Sequence, residues 1–143
     1  MSEVARKLGI QGGHRVCLLN APSETNALLR QECPPEVAFS ETLGEMPHHL
    51  ILFWPLHKEG LSEWFAQLQQ HIVPSGAVWA VLPKKSYAKA RGINIKLSWR
   101  EMQEAALQTD LVDNKDASLS DEEYATRFVI RKERRPSPAS LPH

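Results

Sequence analysis

The sequence predicts a three-layer α/β domain whose mostly parallel sheet, of about six strands, closes in an antiparallel hairpin. Three observations predict it. Short apolar runs at Arg15–Leu19, His49–Trp54 and Ala77–Leu82 are each bounded by turn residues, as strands buried on both faces are. Segments with helical spacing separate these runs, which is the pattern of βαβ crossovers. The last two strand-like segments instead face each other across Asp121-Glu122-Glu123, with no helix between them.

In chain order, Ser2 to Leu8 reads as a short helix ended by Gly9, and Gly12-Gly13 as a turn. Arg15-Val16-Cys17-Leu18-Leu19 follows as the central strand. Ser23 is the candidate N-cap of a helix through Ala27, Leu28 and Leu29 that Pro34-Pro35 must terminate. Val37 to Glu41 is a weaker strand, and His49 to Trp54 is the strongest one, closed by Pro55. Leu61, Trp64, Phe65, Leu68 and Ile72 have the spacing of an amphipathic helix. Pro74-Ser75-Gly76 is expected to break that helix and lead into the strand Ala77 to Leu82, closed by Pro83. Ser98 with Glu101 is a capping-box signature for a helix presenting Trp99, Met102, Ala105 and Ala106. Leu111-Val112 opens one hairpin strand and Tyr124 to Lys132 forms the other. Residues 1–132 thus make one domain. Residues 133–143, basic and proline-rich with no periodicity, are expected to be a disordered tail.

With 143 residues, 42% of them hydrophobic, the chain can bury one core. No apolar run approaches the roughly 20 residues of a membrane helix, and the charged N-terminus lacks a signal-peptide core, so a cytoplasmic location is expected. Cys17 and Cys33 lack a disulfide framework and read as free thiols, Cys33 being the more accessible. Net charge is zero but unevenly distributed: Lys84, Lys85, Lys89, Arg91, Lys96 and Arg100 crowd one loop, and Arg127, Arg131, Lys132, Arg134 and Arg135 crowd the C-terminal region. Such runs can meet phosphates or acidic partners, although a solvated loop and tail are their default explanation.

The stretches Leu8-Gly9-Ile10, Gly13-His14-Arg15-Val16 and Pro74-Ser75-Gly76-Ala77-Val78, together with the closing hairpin, resemble a class I methyltransferase-type Rossmann domain. Only Thr42 to His48 lies between the second and third predicted strands, so a helix-strand-helix segment of that larger fold is missing. Seven residues span about 23 Å when extended, enough to cross beside one strand. A closer resemblance, over most of residues 5 to 132, is to a small bacterial domain-of-unknown-function family with this abridged layout. Leu18-Leu19-Asn20-Ala21-Pro22, Pro83-Lys84-Lys85 and Leu111-Val112-Asp113-Asn114-Lys115 carry it. A Ser-Gly pair usually follows the two lysines in that family; here Ser86 precedes Tyr87. The resemblance implies a fold and no activity.

In an open parallel sheet, ligands bind beyond the carboxyl ends of the strands at the topological switch point. That rule selects Asn20 to Glu24, Pro55 to Lys58 and Pro83 to Lys85. A dinucleotide or S-adenosylmethionine site needs glycines in the first of these loops, because ligand and backbone approach closely. Ala21 adds a methyl there and Pro22 removes an N–H. No cofactor is therefore expected, with S-adenosylmethionine the one left open. Candidate ligand-binding residues are Asn20, Ser23, Glu41 (for a ribose), and Lys84 and Lys85 (for an anion). Each has a plainer role in a turn, a cap or solvent. The six histidines lack metal-ligand spacing, no nucleophilic triad stands out, and Trp54, Trp64, Trp79 and Trp99 fall on predicted core faces.

These residues favour a non-catalytic module that binds a small anionic ligand or a protein partner. A small enzyme acting on an anionic substrate is the alternative. Nucleic-acid binding through the basic loop and tail is weaker, since no recognised motif accompanies the charge.

Overall fold

The computed structural model describes residues 3–84 and 97–135. The elements are α1 (Glu3–Leu8), β1 (Arg15–Leu19), α2 (Ser23–Glu32), β2 (Ala38–Ser40), β3 (His48–Phe53), α3 (Leu61–Gln69), β4 (Ile72–Pro83), α4 (Trp99–Leu107), β5 (Leu111–Ser118) and β6 (Glu123–Ile130), followed by a short 3-10 turn, Lys132–Arg134. One six-stranded sheet has the order β2-β1-β3-β4-β6-β5. β2, β1, β3 and β4 are parallel, and β6 is antiparallel to both β4 and β5. The expected parallel sheet with a closing hairpin is what forms.

Period-two alternation sorts the core into two layers. Val16, Leu18, Leu50, Leu52, Trp79 and Val81 face α1 and α2, whereas Cys17, Ile51, Phe53, Val78, Ala80 and Leu82 face α3 and α4. Both cysteines are buried and free, on opposite faces of the sheet. Cys33 is 8% exposed, not accessible as the sequence implied, because α2 lays it against Leu29 and the sheet; burial raises both thiol pKa values. Trp79 donates its indole N–H to the Leu8 carbonyl at 3.1 Å, which docks α1 on the sheet. The Ser98–Glu101 capping box at α4 forms as expected.

Three local expectations are corrected. Ser23 is the first residue of α2, and Pro22 occupies the N-cap position without a side-chain hydrogen bond. Trp64 is 45% exposed, because the buried stripe of α3 is Leu61, Phe65 and Leu68 and leaves Trp64 at its margin. Ile72 belongs to β4 and not to α3, so Pro74-Ser75-Gly76 does not separate helix from strand. It lies within β4, in a bulge: His48 pairs with Ile72 and Leu50 with Ala77, so two steps of β3 face five of β4. Gly76 is required there, since a Cβ would sit 2.7 Å from the His49 carbonyl oxygen. A second bulge falls at Asn114, between Asp113 and Lys115, which gives the Asp113-Asn114-Lys115 stretch a structural role inside β5. No described helix is long and apolar enough to cross a membrane. Of the expected tail 133–143, residues 133–135 are described, in and just after the 3-10 turn Lys132–Arg134; residues 136–143 and 85–96 of the basic loop lie outside the described residues.

Candidate functional site

The chain leaves β1 to form β2 on one side and returns to form β3 on the other, so the sheet's order reverses between β1 and β3. Ligands of this architecture enter at such a point. Asn20 follows β1 directly and is the one non-glycine residue with positive φ among those described, at 63°. Asparagine tolerates this left-handed geometry better than most residues, so the turn keeps a glycine-like bend without a glycine. Ala21 and Pro22 complete it, and the Pro22 carbonyl accepts the Asn26 N–H at 2.9 Å as α2 begins. Glu24 sits in the first turn of α2. Its carboxylate stabilises that positive helix end and repels an incoming anion.

Across from this turn, Phe53, Pro55, Leu61 and Trp64 wall a crevice with Asn20, and its volume is about 60 Å³. Trp64 lies 6.0 Å from Phe53, ring to ring, and covers the crevice's α3 side. On the other face of the sheet, the same rim is spanned by Trp54. Its indole N–H donates to Glu123 Oε2 at 2.9 Å, tying the end of β3 over β4 to the start of β6. Burial raises the Glu123 carboxyl above its ordinary value; the bonds from Trp54 and Thr25 oppose this, and the neighbouring Glu122 adds to it. The sequence signal was present: a buried tryptophan just past a strand end needs a partner for its N–H. In the sequence, Glu123 stands only as part of the Asp121-Glu122-Glu123 turn.

The other candidates do not converge on the crevice. Ser23 is exposed at the start of α2. Glu41 accepts from Asn26 Nδ2 at 3.1 Å and lies 3.7 Å from Arg30, joining α2 to the end of β2. Lys84 donates through Nζ to Ser118 Oγ at 2.8 Å and through its backbone N–H to the Glu122 carbonyl, so it bridges β4 to the hairpin. Lys85 lies outside the described residues. Among the described residues no group of three or more His, Cys, Asp or Glu side chains could hold a metal ion.

Among the described residues, two further cavities lie elsewhere. One, about 290 Å³ and mainly apolar, runs beside edge strand β2 against Phe39, Leu43 and Met46, where the short β2–β3 connection passes. The other, about 100 Å³, lies at the amino ends of the strands, walled by His14, His49, Ser75, Gly76 and Arg127. Sequence spacing missed the histidine pair because His14 and His49 are 35 positions apart; parallel pairing of β1 with β3 makes them neighbours.

No family model matches the chain, and no curated protein matches it in sequence. Solved structures do match. The chain is similar to one from the complex of the Haloferax volcanii Trm112 methyltransferase activator with a putative methyltransferase, at 10% identity and TM-score 0.62, covering 89% of this chain and 86% of that one. It is similar to the TehB-like SAM-dependent methyltransferase of Corynebacterium glutamicum, at 12% identity and TM-score 0.55, over 90% and 87% of the two chains. It is also similar to the PH0226 protein of Pyrococcus horikoshii, at 9% identity and TM-score 0.63, over 90% and 89%. At such identities the likeness is one of fold: this chain has a Rossmann-like, methyltransferase-like fold.

Proposed function

We propose that the chain is a non-catalytic module for binding a small anionic ligand or a protein partner, built on a methyltransferase-like fold whose cofactor position is closed. The crevice at the switch point carries this reading. As bounded by the described residues, its volume of about 60 Å³ is far below the roughly 300 Å³ at which small-molecule sites begin. Ala21, Pro22 and Glu24 add to it, the first two by removing the close backbone approach and an N–H, the third by its charge. On this reading the chain belongs with the small bacterial family that shares the Leu-Leu-Asn-Ala-Pro turn, works in the cytoplasm, and takes up no S-adenosylmethionine.

A small enzyme is the second reading, and Glu123 favours it: a half-buried carboxyl with a raised pKa on the ligand rim is suited to proton transfer. A thermal-shift panel of S-adenosylmethionine, nucleotides and phosphorylated metabolites separates the two. The binding-module reading expects no stabilisation by the methyl donor. Stabilisation by it, coupled to methyl transfer onto any acceptor, sinks the proposal.

A further inference from the structure

We propose that the amino-end rim of the sheet, opposite the switch point, binds a small oxyanion, either a phosphate group or a carboxylate. His14 immediately precedes β1, and His49 is the second residue of its neighbour β3. Their rings stack with centroids 4.6 Å apart and planes 12° from parallel. Each Nδ1 is committed as an acceptor: His49 takes the Arg15 N–H at 2.9 Å, and His14 takes the Gln11 N–H at 3.2 Å. An imidazole that accepts at Nδ1 carries its proton on Nε2. The pair therefore offers two Nε2–H donors and no remaining acceptor.

The bulge in β4 supplies the next wall. Residues 73–76 are the extra residues of the bulge opposite His49, and Val73, Ser75 and Gly76 line the same cavity as His49. Arg127 of β6 closes it. Arg127 is partly buried, and its guanidinium has no hydrogen bond or ion pair among the described residues. Burial lowers the Arg127 pKa, and the charge of Arg135 adds to the shift. Two cations thus lie near each other, and no carboxylate among the described residues lines the cavity to neutralise them. A solvated surface arginine explains neither the partial burial nor the like-charged neighbour. An anion offsets both costs.

The dimensions fit a single oxyanion. The cavity of about 100 Å³ exceeds the roughly 30 Å³ share of one water. With rings 4.6 Å apart and hydrogen bonds of about 2.9 Å, one anion can accept from both imidazoles. The guanidinium fork and the Ser75 hydroxyl then take the remaining oxygens. The site lies at the other end of the strands from the switch-point crevice, and it stands or falls separately from closure there.

The test is an NMR titration of the full chain with inorganic phosphate, glycerol phosphate and acetate at constant ionic strength, following the imidazole signals of His14 and His49. Saturable shifts of both histidines together are expected. Arg127→Gln should weaken binding at least tenfold, Arg127→Lys less, and Arg100→Gln, on the surface of α4, not at all. Tighter binding of the phosphates than of acetate identifies a phosphate ligand, and the reverse identifies a carboxylate. Histidine signals that do not saturate, or equal weakening by Arg100→Gln, overturn the proposal. Should Arg127→Gln fail to fold, Ser75→Ala is expected to weaken binding severalfold, and unchanged affinity there overturns it as well.

Discussion

Trp54→Phe should destabilise the protein by about 2 kcal/mol, and the loss should depend on Glu123. Trp54 is 5% exposed, and its N–H reaches Glu123 Oε2 at 2.9 Å. A hydrogen bond to a charged group contributes about 1.5–3 kcal/mol; half-exposure of Glu123 screens this to about 1–1.5 kcal/mol. The smaller ring leaves a void of about 30–40 Å³, worth roughly 1 kcal/mol at about 24 cal/mol per Å³. Urea denaturation of Trp54→Phe, Glu123→Ala and the double variant isolates the pairwise part. A coupling of about 1 kcal/mol is expected. A coupling within about 0.3 kcal/mol of zero, the range of independent sites, refutes the claim that this bond fastens the carboxyl rim. The pH dependence gives a second check. The folded carboxyl has a raised pKa, so its stabilising contribution is present below the unfolded value of 4.5 and is lost as pH rises through the folded one. Glu123→Gln, which still accepts from the indole, should therefore gain stability relative to the parent as pH climbs from 4.5 to 7.

Two other outcomes follow from the same geometry. Burial lowers the pKa values of both His14 and His49, and for His49 the charges of His14, Arg15 and His48 add to it. The folded state then resists protonation, so stability should fall as pH drops below 6.5 in buffers free of oxyanions, and His49→Gln should flatten that slope in urea titrations. At Asn20, with φ at 63°, Asn20→Ala should cost about 1 kcal/mol while Asn20→Gly stays near neutral, because relief of the left-handed strain offsets the entropy of glycine. Equal effects of the two changes, measured by thermal unfolding, would show that the turn is not held in that conformation.

The strands were legible wherever apolar runs ended at turn residues, as at Leu19, Trp54 and Pro83, because burial on both faces leaves a continuous pattern. Ile72 was not. It continues the helical spacing from Leu68, and only pairing with His48 places it in a strand. The same pairing converts Pro74-Ser75-Gly76 from a helix breaker into a bulge, which no local rule distinguishes. Lys84 shows the limit for sites: its position at a strand end was correctly read, but its direction, toward Ser118, depends on where the hairpin packs. The groups that do meet at the two rims, Trp54 with Glu123 and His14 with His49, are 69 and 35 positions apart. Strand order brings them together.

A titration of the isotope-labelled chain with S-adenosylmethionine tests closure of the switch point most directly. The amide signals of residues 19–25 and 54–61 are expected to stay in place up to millimolar ligand. Saturable shifts concentrated in those two loops would contradict the account, and transfer of the methyl group would replace it with that of an enzyme.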